Sequence, residues 1–132
     1  MSKGQAFLNS ADQTSRGKIR HLHVIISNPD SEKDVLIVPV CTLKEIKGKP
    51  LPGQDLSCLL SAGCHPFIKN KSYISYQNAK SMNLIDIVNG LFKGILVSQQ
   101  DFKTCYVQDM QKGAEESPFL PEKFKRFFNH FL

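Results

Sequence analysis

Two residues beside a predicted β-hairpin have side chains suited to acting on a phosphate group. Arg20 precedes the apolar run of residues 21–27, and Thr42 ends the apolar run of residues 35–42. A guanidinium stabilises the charge that develops on a phosphate under attack, and a hydroxyl donates a hydrogen bond to it. From these residues alone, a solvated charge at a strand start and an ordinary β-branched strand end are the simpler interpretations.

Three histidines are candidates for the general base of such chemistry, because imidazole titrates near neutral pH. They are His21, His23 and His65. His21 and His23 would project to the same face of a strand and could chelate a metal, but no second ligand pair with zinc spacing is present. We therefore predict no metal and no other cofactor. His65 precedes Pro66, which holds the chain extended and leaves the imidazole bonded to the backbone or lining a groove.

The segment of residues 69–80, KNKSYISYQNAK, is the best candidate for binding a single nucleic-acid strand. It combines three lysines with Tyr73 and Tyr76. Lysines follow a phosphate backbone, and aromatic rings stack on unpaired bases. A strand edge that carries lysines against aggregation explains the same composition. The net charge of +5 modestly favours a polyanionic ligand.

The four cysteines form no CxxC pair. Three of them lie in apolar or strand-like contexts, where a free cysteine behaves as a small buried hydrophobe. A nucleophilic Cys–His pair would require the fold to bring a residue such as Cys58 to a distant histidine. Reduced structural thiols are the favoured interpretation.

The chain of 132 residues is long enough for one hydrophobic core and too short for two ordinary domains. We therefore predict one domain over residues 1–132. No apolar run approaches the length of a membrane span, and residues 1–18 lack the apolar centre of a secretory signal. The sequence predicts a cytoplasmic protein with no membrane partner.

Short strands separated by Gly and Pro occupy the first two thirds of the chain. Residues 20–27 and 35–42 predict a β-hairpin, with Pro39 at a sheet edge or a bulge. Further strands are predicted over residues 56–60, 72–76 and 91–97, with a short helical turn over residues 82–90. This order favours a small curled sheet or barrel.

Two helices are predicted at the end of the chain. The first covers about residues 99–112, with Ser98 and Asp101 at its start and Gly113 as its stop. The second covers about residues 121–131 and places four phenylalanines on one face. We expect that face to pack on the protein's own core, with a dimer or partner surface as the alternative.

Four segments resemble, in this order, the MazF/PemK family of bacterial toxins: KGQAF, IRHLHVIISN, VLIVPVCTLK and KSYISYQNAKSMN. They span most of residues 3–83. The resemblance implies a mainly β fold, a small SH3-like barrel of about five to seven short strands with C-terminal helices packed on it. It also implies a homodimer that cuts single-stranded RNA without a metal and is held in check by a cognate antitoxin, a segment of which occupies the RNA groove.

The resemblance also implies roles for individual residues. Arg20 matches the arginine that contacts the scissile phosphate, and Thr42 matches the residue whose hydroxyl lies beside it, so both are predicted to be catalytic. Lys80 stands where the family commonly has arginine, and it keeps the charge without the planar fork of a guanidinium. The predicted RNA-binding residues are Lys80, Gln77, His65, Lys69 and Tyr76.

The leading prediction is therefore the toxin component of a toxin–antitoxin system, acting as a metal-independent endoribonuclease on single-stranded RNA. The alternative is a non-catalytic SH3-like barrel that binds nucleic acid or protein. A small metal or thiol enzyme is the third possibility, and it rests on Cys and His residues without suitable spacing.

Overall fold

The computed structural model describes residues 2–10 and 21–130. The strands are β1 (Ala6–Asn9), β2 (Leu22–Ile25), β3 (Asp34–Thr42), β4 (Glu45–Ile46), β5 (Lys49–Pro50), β6 (Leu59–Leu60), β7 (Ser72–Ile74), β8 (Lys80–Asn83) and β9 (Leu96–Gln99). The helices are α1 (Leu84–Phe92), α2 (Thr104–Glu116), a 3-10 turn (Tyr76–Asn78) and a C-terminal 3-10 helix (Glu122–His130). No helix in this part of the chain is long and apolar enough to cross a membrane.

Seven of these strands form one antiparallel sheet. Its order is β6, β7, β3, β2, β1, β9, and β8 pairs with the first half of β3. β4 and β5 form a separate, exposed hairpin that does not join the sheet. The predicted mainly β class is confirmed. Within the described residues, however, the sheet is open and does not close into a barrel, because β6 and β9 do not pair with each other.

The predicted hairpin is the β2–β3 pair, in which Leu22 lies opposite Val40. Pro39 lies within β3, a central strand, rather than at a sheet edge. On the side of β3 away from β2, β8 pairs with residues 34–37 and β7 with residues 40–42. Pro39 falls between these two partners, so the amide hydrogen that proline lacks is not needed there. Its carbonyl accepts a hydrogen bond from the Ser75 amide at 3.0 Å.

The main core lies between one face of the sheet and the C-terminal third of the chain. Leu22, Val24 and Val38 project from the sheet into a cluster that includes Met110 of α2 and Phe127 of the C-terminal helix. All five are essentially inaccessible to solvent. The removal of these side chains from water is the dominant force that holds the helices on the sheet.

The opposite face of the sheet is partly covered by α1. Fully buried Ile87 packs there with Phe7, Ile25 and Ile37 in a second, smaller cluster. The helix begins after Asn83, whose side-chain oxygen accepts a hydrogen bond from the Ile85 amide at 3.0 Å. An N-cap of this kind satisfies a backbone donor that has no partner within the helix.

The helix α2 starts five residues later than predicted and continues past Gly113. Its predicted start is wrong because residues 96–99 pair with β1 and the Phe102 amide donates to the Gly4 carbonyl at 2.8 Å. Lys103 occupies the N-cap position without a side-chain hydrogen bond. Tertiary pairing of this segment therefore overrides the capping pattern of Ser98 and Asp101.

Gly113 lies inside α2 because a larger residue does not fit there. A Cβ atom at this position would meet the Tyr76 hydroxyl, and would lie 2.9 Å from the Cys58 Cβ and 3.1 Å from the Ser57 carbonyl oxygen. The Tyr76 hydroxyl donates to the Met110 carbonyl at 2.6 Å. The predicted helix stop is therefore a close-packing site where α2 contacts the segment that follows β7.

The C-terminal phenylalanines pack on the protein's own core, as predicted. Phe124 and Phe127 are buried in the main cluster, and Phe128 packs against it. The guanidinium of Arg126 lies 4.3 Å from the centre of the Phe127 ring. The fourth residue of the stripe, Phe131, lies outside the described residues.

We predict that Gly113→Ala lowers the free energy of unfolding by about 2 kcal/mol, because the added methyl overpacks the contact with Tyr76 and Cys58. Helix propensity alone predicts the opposite, a gain of about 1 kcal/mol. Urea denaturation followed by circular dichroism measures the difference. The control is Gln108→Ala on the exposed side of α2, for which we expect a change within about 0.5 kcal/mol. A stabilising Gly113→Ala would contradict the packing described here.

Stability should also fall in alkaline solution. Burial raises the pKa of the Cys58 thiol from 9.0 to about 11. Between these values the unfolded chain loses the thiol proton first, so the free energy of unfolding should decrease by ~2 kcal/mol as the pH rises from 9 to 11. Urea denaturation across this range tests the effect. Cys58→Ala should show a shallower decline, and a decline equal to that of the wild type would exclude Cys58 as its source.

Candidate nucleic-acid interface

Thr42 lies exposed at the last position of β3, where the strand leaves the main core. It pairs with Ser72 at the start of β7. The next residue, Leu43, donates its amide hydrogen to the Lys71 carbonyl at 2.9 Å. The Thr42 hydroxyl, which is predicted to contact a phosphate, is therefore accessible to a ligand. The backbone of Lys71 lies beside Thr42.

The β4–β5 hairpin follows Thr42 directly and carries exposed lysines. Its base is held by Gln54, whose side-chain oxygen accepts from the Lys44 amide at 2.7 Å and whose side-chain nitrogen donates to the Lys44 carbonyl at 2.9 Å. The same nitrogen donates to the Leu51 carbonyl at 3.0 Å. Both strands of the hairpin are exposed, so these three hydrogen bonds and a fourth from the Leu51 amide to the Lys44 carbonyl at 2.9 Å, rather than a buried core, fix its base.

Five lysines surround this end of the sheet, and we call them the lysine rim: Lys44, Lys47, Lys49, Lys69 and Lys71. All five are exposed. None forms an ion pair with any residue in the described part of the chain. The nearby carboxylate of Asp55 is buried and accepts hydrogen bonds from the Ser57 amide and the Ser117 hydroxyl. The lysine rim is therefore a positive surface suited to phosphate groups.

A row of three polar side chains crosses the sheet one residue before Thr42 and, because side chains alternate along a strand, on the face opposite to Thr42. His21, Cys41 and Tyr73 come from β3 and from segments on either side of it, and all three are half-buried. His21 Nδ1 lies 3.9 Å from Cys41 Sγ and 3.4 Å from the Val40 carbonyl oxygen. We refer to these residues as the His21–Cys41–Tyr73 row.

The thiol in this row is poorly suited to act as a nucleophile. Burial raises the pKa of Cys41 more than its hydrogen bond with Tyr73 lowers it. Burial also raises the pKa of Tyr73, and the neighbouring Cys41 adds to that increase. Both groups are protonated at neutral pH and can only donate or accept hydrogen bonds there. Sequence reasoning missed this row, although His21 and Cys41 lie one residue from Arg20 and Thr42.

His65 was predicted to bind RNA, but its side chain is not available for that role. It is 3% exposed, and its Nε2 lies 2.6 Å from the Gln100 carbonyl oxygen. Its Nδ1 accepts from the Phe67 amide at 3.0 Å, and the ring stacks on Phe102 with centroids 4.5 Å apart. The alternative in which His65 bonds to the backbone is confirmed. Through its contacts with Gln100 and Phe102, His65 holds the loop after β6 against the segment before α2.

Tyr76 is likewise a core residue, since it is fully buried and bonded to Met110. Its ring cannot stack on a base in this fold. Ile74 and Tyr76 share the buried face of their segment, whereas Tyr73 lies on the other face, opposite Cys41. The alternation of side chains along a strand is the signal that separates half-buried Tyr73 from buried Tyr76.

Lys80 and Gln77 lie apart from Thr42. Lys80 pairs with Ile37, five residues before Thr42 on β3, which corresponds to about 17 Å along the strand. Because side chains alternate, Lys80 and Thr42 also project to opposite faces of the sheet. Gln77 is exposed in the 3-10 turn. The structure thus places Thr42 opposite Ser72, three residues after Lys69 in the chain, and away from Lys80. Arg20 lies outside the described residues.

The alternatives based on metals and thiols gain no support. Among the described residues, no three His, Cys, Asp or Glu side chains are grouped closely enough to hold a metal ion. His23 is buried and stacks on Phe7, with ring centroids 5.8 Å apart. Cys58 is buried beside Tyr76 rather than beside a histidine.

Comparisons of the chain with family models, with curated proteins and with solved structures found no match in any of the three. Function is therefore inferred from three features of the molecule. These are the exposed hydroxyl of Thr42, the lysine rim and the His21–Cys41–Tyr73 row.

We predict that the double variant Lys69→Ala, Lys71→Ala binds single-stranded RNA more weakly than the wild type. Each lost phosphate contact should reduce the slope of log K against log salt by about 0.7, so the pair should reduce it by about 1.4. Fluorescence anisotropy with a labelled oligouridine at several salt concentrations measures both quantities. The matched control is Lys103→Ala, Lys112→Ala, whose lysines are exposed at α2. Equal losses in the two variants would show that the lysine rim has no special role.

Proposed function

We propose that this protein is a cytoplasmic, MazF/PemK-like endoribonuclease, the toxin of a toxin–antitoxin system, which cuts single-stranded RNA. The observation that carries the proposal is the exposed Thr42 hydroxyl at a strand end ringed by lysines without ion pairs among the described residues. The order of the four family-like segments supports the same assignment. The cognate antitoxin would then act by covering this positive end of the sheet.

The reaction needs no metal. The 2′-oxygen of a ribose attacks the adjacent phosphorus, the bond from phosphorus to the 5′-oxygen breaks, and the products are a 2′,3′-cyclic phosphate and a 5′-hydroxyl. A base removes the 2′-proton, and an acid supplies a proton to the leaving oxygen. In this proposal Thr42 donates a hydrogen bond to the phosphate, and Arg20 stabilises its additional negative charge.

His21 is the strongest candidate for the base among the three predicted histidines. His23 and His65 are buried and stacked on phenylalanine rings. His21 is half-buried, directly follows Arg20 in the chain, and contacts Cys41, the neighbour of Thr42. It is therefore not sealed in the core, and its imidazole, like the Cys41 thiol, lies on the face of the sheet opposite the Thr42 hydroxyl.

The strand of RNA would cross the end of the sheet. The lysine rim would neutralise successive phosphates, and the ring of Tyr73 would stack on an unpaired base. Lys80 and Gln77 are too far along β3 to hold the scissile phosphate, so they would contact a more distant part of the strand.

A binding module without catalytic activity is the second candidate. It is favoured by the separation of Lys80 from Thr42, since a catalytic site needs its charged groups gathered at one phosphate. The lysine rim and Tyr73 would serve such a module equally well. The two functions differ only in whether bound RNA is cut.

Incubating the purified protein with a long single-stranded RNA in EDTA tests the proposal. We expect discrete cuts by the wild type, mapped as new 5′ ends. Arg20→Ala and Thr42→Ala should each reduce the cleavage rate by about 10²-fold or more, the usual cost of one group that stabilises the transition state.

The matched control is Thr104→Ala, which removes an exposed hydroxyl at the start of α2. It should cut at the rate of the wild type. Intact RNA together with salt-dependent binding would reject the nuclease in favour of the binding module. Absence of both cutting and binding would reject both functions.

A further inference from the structure

The β4–β5 hairpin has two faces of different chemistry. Its register places Ile46 opposite Lys49 and Glu45 opposite Pro50. Side chains alternate along each strand, so Ile46 and Lys49 share one face, while Glu45 and Pro50 share the other. Ile46 is 61% exposed, although it is a large apolar residue. One face of the hairpin therefore presents an apolar side chain beside a cation, and the carboxylate lies on the other face.

The two ends of the hairpin hold these faces in a fixed geometry. Lys47 and Gly48 link the strands, with φ values of 54° and 76°. Positive φ at both central residues is the geometry of a type I′ turn, whose twist matches that of the paired strands. Four hydrogen bonds, three of them to Gln54, close the other end. The hairpin therefore holds Ile46 in solvent without support from the main core.

The Ile46 side chain lies in line with the Thr42 hydroxyl. The Leu43 amide continues the pairing of β3 with β7, and the Lys44 carbonyl continues the pairing of β4 with β5. Side chains therefore alternate through this stretch: Thr42, Lys44 and Ile46 are exposed, whereas Leu43 between them is buried. A ligand bound at Thr42 thus meets Lys44 and then Ile46, at most about 14 Å along the chain.

The charges around Ile46 are positive. Lys44 precedes it on the same face, Lys49 lies directly across from it, and Lys47 is in the turn next to it. Glu45 is the only acidic residue among residues 43–54, and it projects from the other face. A single nucleic-acid strand has the matching chemistry, because it alternates phosphate charges with unpaired bases that have apolar faces.

We propose that the β4–β5 hairpin is an RNA-binding arm, in which Ile46 packs on a base of the bound strand within a few nucleotides of the phosphate at Thr42. This inference rests on the proposed RNA-binding function. Lys44 and Lys49 hold the phosphates on either side of that base. Contacts to phosphates carry no sequence information, whereas a contact to a base does. Ile46 therefore contributes to the choice of RNA sequence, which the lysines alone do not make.

Binding to two strands that cannot be cut tests the proposal with the full chain. The labelled probes are an oligodeoxyuridine and an abasic deoxyribose-phosphate chain of equal length, which both lack the 2′-hydroxyl. We expect Ile46→Ser to bind oligodeoxyuridine about fivefold or more weakly than the wild type, and the abasic chain equally well. The matched control is Ile85→Ser, which removes an isoleucine of α1 that is also 61% exposed. It should bind both probes as the wild type does.

The salt dependence separates the base contact from the phosphate contacts. Ile46→Ser should leave the slope of log K against log salt unchanged, because no phosphate contact is lost. Lys49→Ala should reduce the slope by about 0.7 on both probes. Ile46→Trp should bind oligodeoxyuridine more tightly than the wild type, because an indole ring stacks on a base. A gain of this kind cannot come from an unfolded hairpin.

Three results would overturn the proposal. The first is an equal loss of oligodeoxyuridine binding in Ile46→Ser and Ile85→Ser. The second is an equal loss by Ile46→Ser on the two probes, and the third is a wild type that does not bind oligodeoxyuridine. RNA cleavage in EDTA is measured on the same preparations. A wild type that binds as expected but does not cut rejects the nuclease alone, whereas cutting together with any of the three results rejects the arm alone.

Discussion

The strand β3 is the element on which the rest of the molecule depends. It pairs with β2 on one side and with both β8 and β7 on the other, so most of the sheet is assembled on its nine residues. Pro39 separates its two partners on one side without leaving an unsatisfied donor. The change of partner also bears on the proposed RNA site, because it places Lys80 opposite Ile37, near the middle of β3, while Thr42 lies at the end of that strand.

The proposed RNA site and the main core meet at β7, the strand that pairs with Thr42, and at the 3-10 turn that follows β7. Tyr73 projects from the face of the sheet opposite the main core. The Ser75 amide donates to the Pro39 carbonyl, and the Tyr76 hydroxyl, inside the core, donates to the Met110 carbonyl of α2. Close contact with Gly113 then positions the helix on this segment. A half-buried residue of the polar row and a core residue thus share one short stretch of chain, and the direction in which each side chain projects separates their roles.

Local patterns predicted the class of the fold and the β2–β3 hairpin, since alternating and β-branched apolar runs depend on few distant residues. They also predicted that Phe124 and Phe127 pack on the protein's own core. They were wrong about the start of α2 and about Gly113, because β1 and Tyr76, both distant in sequence, decide those positions. The assignment of His65 and Tyr76 to the RNA site was wrong for the same reason: burial is a tertiary property. The roles of Arg20 and Thr42 in catalysis and of Lys69 in RNA binding stay predictions.

The pairing of β1 with β9 also affects how fast the protein folds and at what stage of its synthesis the sheet can form. These strands are about ninety residues apart in sequence, and the lysine rim likewise draws on segments on both sides of β6. Loop-closure entropy must be overcome before such distant contacts stabilise the chain, so folding is slow relative to that of a helical protein of equal size. The positive end of the sheet forms only after residue 71 has left the ribosome, and the sheet is complete only after residue 99. In the proposed nuclease, the RNA site is therefore incomplete until residue 71 has been made, and the sheet that holds it until residue 99.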